Sequence, residues 1–350
     1  MNSEASGLVQ DGLAAQKRGD LRAATESFRK ALSLAPGDLD AAVGLGGALL
    51  GSGDLAGTIQ ADRQALEHVS DDGRLRTNLG LALYREGNLD AAHLELERVH
   101  QEHPQDAQAA ILLSYVYNKL GRFEESLELL SGFEAIRPTD PYLNYALGFA
   151  EIQTGKVEQG ILRIERIAPA RNTADVWMLA GRARFDQHQF RLASADAEAA
   201  LRINPKFPGA RTLAGQAHYA IGQLKEAAVD FQEALKLDSR DFTANLYLGI
   251  LRLDDRDLES AEPLLELARS LAPNNPLARL ELARLRNVKG DTNGALELLE
   301  DLERTEPEWL DPHVELAAVY FKLHRADDGR RERGIVEMLK ANQTDPKTPR

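Results

Sequence analysis

Leucine recurs along the chain at a fixed step of 34 residues, at one position in most of its repeating blocks. The series reads Leu45, Leu79, Leu113 and Leu147, and resumes as Leu248, Leu282 and Leu316. Around each leucine, apolar side chains follow the three- and four-residue spacing of one face of a helix. The pattern predicts a repeated unit of two amphipathic helices.

Glycine and proline separate these predicted helices with the same period. The glycines are Gly19, Gly53, Gly87, Gly121 and Gly155, then Gly222 and Gly290; the prolines are Pro36, Pro104, Pro138, Pro205, Pro273 and Pro307. Glycine adopts the positive φ that ends many helices, and proline cannot continue a helix. Each unit should therefore contain a first helix, a tight turn at glycine, a second helix and a turn at proline or serine.

Two columns of small residues lie inside the predicted helices. The eighth place of the units reads Gly12, Gly46, Gly80, Ser114, Gly148, Gly181, Gly215, Gly249, Ala283 and Ala317. The twentieth place reads Ala24, Thr58, Ala92, Ser126, Gly160, Ala193, Ala227, Ala261, Ala295 and Gly329. Glycine in a helix costs about 1 kcal/mol relative to alanine. We therefore expect the two helices of a unit to cross closely at these places.

These columns resemble the tetratricopeptide repeat family. Its 34-residue pattern places small residues eighth and twentieth, an aromatic twenty-fourth, alanine twenty-seventh and proline thirty-second. The first unit matches the last four features as Ala24, Phe28, Ala31 and Pro36. The resemblance, from Ala5 to Asn342, implies an all-α fold: a right-handed superhelical α-solenoid of stacked helix-turn-helix repeats, whose first helices line a concave groove.

The domain organisation follows from the same alignment. We expect residues 1–343 to form a single continuous array of about ten repeats and residues 344–350 to form a flexible C-terminal tail. The repeats begin near Ala5, Leu39, Gly73, Ala107, Pro141, Ala174, Pro208, Phe242, Pro276 and Leu310. The fifth unit has 33 residues and meets Pro169 early. Its second helix should be short, with Pro169–Thr173 as a flex point.

Composition narrows the range of partners and compartments. The formal net charge is −13 and no basic stripe runs along the array, so we expect no nucleic acid as the main partner. There is no cysteine, which excludes disulfides and thiolate metal sites. The first ten residues lack the features of a signal peptide, and no apolar stretch approaches a membrane span. We expect no membrane insertion and a cytoplasmic location, or a periplasmic one if a signal peptide has been removed.

No pattern in the chain indicates catalysis. A GxxxxGK[ST] phosphate-binding loop is absent. His93, His100 and His103 form the only local group of histidines, and they lack the HExxH arrangement of a zinc site. Solvent-exposed histidines and acidic turns account for these residues. We expect a protein that is not an enzyme and that needs no cofactor and no metal.

The groove remains as the candidate site. If places 4, 7, 8 and 11 of a first helix face its partner helix, places 2, 5, 9, 12 and 13 form the concave stripe. In the middle repeats this stripe is rich in large side chains, including Ile111, Leu246 and Ile250. The residues assigned to peptide binding are Tyr84, Tyr115, Tyr142, Tyr145, Phe149, Arg182, Phe185 and Tyr219.

These candidates differ in how they can be interpreted. Tyr84, Tyr145 and Tyr219 occupy places where the family often has tyrosine, so packing between repeats explains them as well as binding does. For the other tyrosines and Phe149, ligand contact and neighbour packing stay open as alternatives. Arg182 is the best single candidate to meet a carboxylate or to stack on a ring.

The pattern as a whole favours a non-enzymatic interaction scaffold that binds a segment of a partner protein. The alternative is a structural homo-oligomer that assembles through array ends, because Ile335, Met338 and Leu339 have no following repeat to cover them. In relatives that clamp acidic chaperone tails, the family uses lysine, arginine and asparagine at set places. Here Gln108 and Leu112 stand at two of the basic places, so that clamp is not expected.

Overall fold

The structure, a computed structural model, describes residues 3–68, 72–168 and 172–344. It is 81% helix, and the described ranges contain no strand. Within these described ranges, twenty α-helices follow one another as ten pairs, which confirms the predicted all-α repeat fold. The chain divides into two compact units, Met1–Asn172 and Thr173–Arg350.

The first unit contains five helix pairs. Its helices are α1 (Ser3–Lys17), α2 (Leu21–Leu34), α3 (Leu39–Ser52), α4 (Leu55–His68), α5 (Gly73–Glu86), α6 (Leu89–Glu102), α7 (Ala107–Lys119), α8 (Phe123–Glu134), α9 (Pro141–Gln153) and α10 (Val157–Ile167). At 11 residues, α10 is shorter than the 14-residue second helices α2, α4 and α6, as expected for the fifth repeat. The predicted flex point falls largely on residues 169–171, which lie outside the described residues.

The second unit also contains five helix pairs. They are α11 (Ala174–Asp186), α12 (Phe190–Ile203), α13 (Ala210–Ala220), α14 (Leu224–Leu237), α15 (Phe242–Asp254), α16 (Leu258–Leu271), α17 (Pro276–Lys289), α18 (Thr292–Thr305), α19 (Leu310–Lys322) and α20 (Ala326–Thr344). The α13 helix begins two residues after Pro208 because Gly209 takes a left-handed conformation, with φ 75°. Residues 345–350, most of the expected tail, lie outside the described residues.

Side-chain caps begin many of the helices. Asp38, Asp72, Asp106 and Asp140 each accept hydrogen bonds from backbone N–H groups in the first turn of the following helix. Each cap satisfies donors that the helix itself leaves unpaired, which stabilises a helix start by about 1 kcal/mol. The sequence thus sets the start of these helices locally.

The turn inside each repeat needs a positive φ. Glycine supplies it in seven of the ten repeats, with φ between 75° at Gly121 and 95° at Gly290. His188, Arg256 and His324 occupy the same turn in the other three repeats, with φ of 58°, 60° and 61°. The interruptions in the glycine series therefore leave the turn geometry unchanged.

The small residues of the eighth column allow the two helices of a repeat to cross closely. A Cβ added to Gly80 would lie 2.6 Å from Leu96 Cγ, and one added to Gly215 would lie 2.7 Å from the ring of Phe231. Leu96 and Phe231 stand at the twenty-fourth place of their repeats and are fully buried. The steric reason predicted for the glycine column is therefore confirmed.

Within each unit, first helices of neighbouring repeats also contact one another, as α7 does with α9 and α13 with α15. This contact covers part of the face that the helical pattern assigned to the groove. Ile111, Leu246 and Ile250 are buried in the core for that reason. Their assignment to an open groove surface was wrong.

Candidate functional site

Four tyrosines of the first unit lie on successive first helices and form what we call the aromatic row: Tyr84, Tyr115, Tyr142 and Tyr145. The rings of Tyr84 and Tyr115 lie 6.5 Å apart and nearly parallel, at 25°. Tyr115 and Tyr145 meet edge to face, with ring centroids 6.2 Å apart. Since α5, α7 and α9 each contribute, only the stacking of three repeats brings the row together.

Tyr142 is the most accessible member of the aromatic row. Its side chain belongs to the first turn of α9, where Asp140 caps the helix, and the residue is 56% exposed. The Tyr115 hydroxyl donates a hydrogen bond to the Tyr142 carbonyl oxygen at 3.2 Å. Tyr84, Tyr115 and Tyr145 are half-buried, and each of these three rings packs against a neighbouring ring of the row. Burial also raises the pKa of the Tyr84 hydroxyl.

Phe149 lies apart from the aromatic row. It is half-buried, and its ring packs at 6.1 Å from Phe123, the first residue of α8. Phe149 therefore supports the contact between two repeats with at least part of its surface.

In the second unit, Arg182 and Phe185 lie on α11 and Tyr219 lies on α13. The Arg182 side chain is 59% exposed, and its Nε atom lies 3.9 Å from Asp186. The Arg182 guanidinium carbon is 5.9 Å from the centre of the Phe185 ring, within cation–π range. The sequence placed Arg182 among aromatic side chains, and the structure places it on one of their rings.

Phe185 and Tyr219 form part of a cleft with a volume of about 350 Å³. Two further rings complete its walls: Phe190, the first residue of α12, and Tyr247 of α15. We call these four side chains the aromatic cleft. The ring centroids of Phe185 and Phe190 are 5.2 Å apart, and those of Tyr219 and Tyr247 are 5.0 Å apart, both edge to face.

Phe190 and Tyr247 were not among the residues predicted from the sequence. Phe190 belongs to a second helix, and Tyr247 stands at the sixth place of its repeat, which the helical pattern assigns to neither stripe. Asp186, His188, Gln216 and Ala220 also line the cleft. The signal that could have indicated the site is the number of aromatic residues within residues 185–247, counted over both helices of each repeat.

One carboxylate, Asp186, lines the aromatic cleft, and two more, Asp254 and Glu281, act on its Tyr219 side chain. Burial raises the pKa of the Tyr219 hydroxyl, and the charges of Asp254 and Glu281 raise it further. The charge of the Arg284 guanidinium acts in the opposite direction and lowers the pKa of Tyr219. This guanidinium is bound to two carboxylates, Glu281 at 2.7 Å and Glu315 at 2.9 Å. The described lining of the cleft contains Asp186 and neither lysine nor arginine.

Charged side chains also lie inside the helix pairs. Arg163 Nη2 is 2.7 Å from Glu151, and Arg184 Nη1 is 2.6 Å from Asp196; all four residues are buried. A third such pair, His218 with Asp230 at 2.8 Å, follows in the seventh repeat. These pairs join the first and second helix of one repeat.

Glu303, His313 and Glu332 form a group whose possible metal-ligating atoms all lie within 4.8 Å of one another. His313 Nε2 donates to the Pro307 carbonyl oxygen at 2.9 Å, and Nδ1 lies 2.8 Å from Glu332. Both ring nitrogens of His313 thus face oxygen atoms of the protein. Arg76 with Glu95 and Arg211 with Asp230 make the same 19-residue pairing in other repeats. The group is therefore best described as a buried histidine–carboxylate contact between two helices.

No helix in the described part of the chain is both long and apolar enough to cross a membrane.

Comparison with known families gives consistent matches along the chain. One sequence model of the tetratricopeptide repeat matches residues 49–114, 83–142 and 252–309. A second model of the same repeat matches residues 10–74 and 178–242. Together the matches cover well over half of the chain.

Individual relatives have low sequence identity to this chain. Cellulose synthase operon protein C of Xanthomonas axonopodis pv. citri (strain 306) is 26% identical over 340 residues, covering 87% of this chain and 22% of that protein. The chain thus spans about a fifth of the length of this curated relative. Among solved structures, a tetratricopeptide repeat protein from Parabacteroides merdae ATCC 43184 is 16% identical with a TM-score of 0.56, over 71% of this chain and 99% of that one.

The human IFIT1 dimer with m7Gppp-AAAA is 15% identical with a TM-score of 0.51, over 95% of this chain and 89% of that chain. At these identities the solved structures share the fold with this chain, and the likeness extends no further.

Proposed function

Because this chain belongs to the tetratricopeptide repeat family, we propose that it is a non-catalytic scaffold that binds a segment of a partner protein. The repeats themselves imply a protein-interaction scaffold. The finer proposal is that the segment lies along the first helices and contacts the aromatic row. Cellulose synthase operon protein C supports a repeat scaffold only, since the chain spans 22% of it.

The observation that carries the proposal is the exposure of Tyr142 beside three further tyrosines. A tyrosine that is 56% exposed leaves a large apolar ring in water, and burying such a ring against a partner is favourable. Tyrosine is also among the residues that contribute most to binding energy at interfaces. Because Tyr84, Tyr115 and Tyr145 already pack ring against ring, binding has to order mainly the exposed Tyr142 side chain.

The test begins with peptides selected from a random display library on the immobilised full chain. The affinity of the selected peptides is then measured for Tyr142→Ala and Tyr115→Ala. We expect Tyr142→Ala to weaken binding by about 2 kcal/mol, or roughly 30-fold in Kd. Phe149→Ala is expected to have a similar effect only if its exposed surface takes part.

The matched control is Leu162→Ala. Leu162 is a large apolar residue on the second helix α10 of the same unit and is 61% exposed, but it lies off the first-helix face. Its substitution should leave Kd unchanged. Equal losses for Leu162→Ala and Tyr142→Ala, or no loss for Tyr142→Ala, would show that the partner segment uses another surface.

The alternative of a homo-oligomer through the array end has one supporting observation. Met338 on α20 is 55% exposed, whereas Leu339 is buried and Ile335 is half-buried. Light scattering over a range of protein concentrations tests this alternative. A dimer that Met338→Glu converts to a monomer would support assembly through α20, and a monomer at every concentration would reject it.

A further inference from the structure

We propose that the aromatic cleft binds a cationic side chain, arginine or lysine, of the partner segment. This assignment rests on the proposed scaffold function and adds the chemistry of one residue of the ligand. It is carried by the geometry of the four rings, by the nearby carboxylates and by a described lining that contains neither lysine nor arginine. The histidine of the lining, His188, packs edge to face on Phe190.

The rings provide the first part of the site. Phe185 meets Phe190 edge to face at 64°, and Tyr219 meets Tyr247 edge to face at 69°. In an edge-to-face pair, the ring whose edge points at its partner has neither of its faces covered by that partner. The face of an aromatic ring carries partial negative charge. A cation that reaches the face of such a ring is attracted to it. A volume of about 350 Å³ accommodates the end of one long side chain.

The carboxylates provide the second part. Asp186 lines the cleft, and its side chain is 62% exposed, so it can reach a ligand at the rim. Asp254 is exposed and close enough to Tyr219 to act on the ionisation of its hydroxyl. The buried Glu281 is balanced by Arg284, at 2.7 Å. With Arg182 set against Asp186, at 3.9 Å, and His188 counted as neutral, Asp254 leaves the formal charge at the cleft negative. A negative charge favours a cationic ligand and disfavours an anionic one.

Arg182 supports the same interpretation from within the chain. Its guanidinium already lies 5.9 Å from the centre of the Phe185 ring. The Arg182 side chain remains 59% exposed, and its Nε is 3.9 Å from Asp186, too far for a hydrogen bond. Arg182 thus occupies the outer edge of the site, and a ligand cation inside the cleft would reach the Tyr219 and Tyr247 rings instead.

The experiment uses a capped five-residue peptide of glycine and serine with arginine at its centre. Two matched peptides carry citrulline or glutamate at the same position; citrulline keeps the shape of arginine but has no charge. Binding to the full chain, labelled with ¹³C in its phenylalanine and tyrosine rings, is followed by NMR. We expect the arginine peptide to shift the ring signals of the cleft and to bind about fivefold more tightly than the citrulline peptide. Added salt should reduce this difference.

Substitutions then separate the rings from the carboxylate. Asp186→Asn changes an exposed side chain and should lower the preference for arginine over citrulline by about twofold or more. Tyr219→Phe keeps the aromatic ring and should retain binding of the arginine peptide. Tyr219→Leu removes the ring and should abolish this binding. Leu224→Ala is the control, because Leu224 is 46% exposed on α14 and does not line the cleft.

Three results would overturn the assignment. The arginine and citrulline peptides could bind equally, the glutamate peptide could bind more tightly than both, or the arginine peptide could leave the ring signals unchanged at about 10 mM. Tyr142→Ala distinguishes this failure from failure of the scaffold function, since Tyr142 lies outside the cleft and should not affect the arginine peptide. If the cleft takes no cation while Tyr142→Ala still weakens the selected peptides, only the cation assignment is wrong.

Discussion

Asp62 departs from the repeat pattern at the scale of a single residue. It occupies the twenty-fourth place of the second repeat, where Phe28, Leu96 and Phe231 fill the core. Asp62 is fully buried opposite Gly46, and neither of its carboxylate oxygens has a hydrogen-bond partner in the described structure. Burial raises the pKa of this carboxyl to about 8. The folded chain therefore holds a proton on Asp62 at neutral pH.

This raised pKa makes the stability of the fold depend on pH. An unfolded chain releases the proton of an aspartate near pH 4, whereas the folded chain keeps it up to pH of about 8. The contribution of Asp62 to the free energy of unfolding is thus most favourable below pH 4. It is lost as pH rises from 4 to 8, and it does not change further above pH 8. We expect Asp62→Leu to remove this dependence and to stabilise the fold at pH 8 by about 3 kcal/mol.

Urea unfolding of both proteins at pH 5 and pH 8 measures the effect. The gain from Asp62→Leu should be larger at pH 8 than at pH 5. Asp62→Asn serves as the control, because it removes the ionisation but leaves a buried polar group. Parallel pH profiles for the natural chain and the leucine variant would contradict a buried, ionisable Asp62.

At the scale of helices, the crossing within each repeat depends on its glycine. A Cβ at position 80 would lie 2.6 Å from Leu96 Cγ, so Gly80→Val forces α5 and α6 apart. We expect a loss of about 1–3 kcal/mol in the free energy of unfolding. Gly132→Ala on α8 is the matched control, since a Cβ there has open space and should stabilise by about 0.5 kcal/mol. An unchanged melting curve for Gly80→Val would contradict the close crossing.

Helices α19 and α20 are also joined by a buried pair of polar side chains, His313 and Glu332. His313 is 2% exposed and Glu332 is fully buried. His313→Ala removes the shorter of two polar contacts of the Glu332 carboxylate and leaves only Arg331, whose Nε lies 3.4 Å from Oε1. We expect this substitution to cost about 3–5 kcal/mol, measured as a fall in the unfolding midpoint of the full chain. His313→Ala combined with Glu332→Gln should recover part of the loss.

The control for this pair is Arg330→Ala on the same α20 helix. Arg330 pairs with Asp327 in water, with both side chains mostly exposed, and such a pair contributes about 0–1 kcal/mol. Equal effects for the His313 and Arg330 substitutions would show that burial does not strengthen the His313–Glu332 pair.

At the scale of the whole molecule, the continuity of residues 1–343 stays a prediction. The chain offers a direct test because its two tryptophans, Trp177 and Trp309, both belong to the second unit. In a continuous repeat array, stability passes between neighbouring repeats. We therefore expect Asp62→Leu, a change in the first unit, to raise the urea midpoint seen by tryptophan fluorescence as well as by circular dichroism. A shift seen by circular dichroism alone would indicate two units that unfold separately.

The sequence by itself determined the helix pairs, their number and the close crossing at glycine. These features depend on short-range physics: the spacing of apolar residues, aspartate caps such as Asp38 and Asp72, and the positive φ of the turns. It also named every first-helix residue of the aromatic row, because each lies at a fixed place in a regular helix.

Only the tertiary structure decided which of these side chains remain accessible. Tyr142 is exposed, Phe149 packs on Phe123, and Ile250 is buried, although the helical pattern places all three on the same stripe. The aromatic cleft likewise joins a second helix to three first helices from three repeats. Exposure and cleft shape depend on the volumes of side chains in neighbouring repeats, and a periodic pattern along one chain does not contain those contacts.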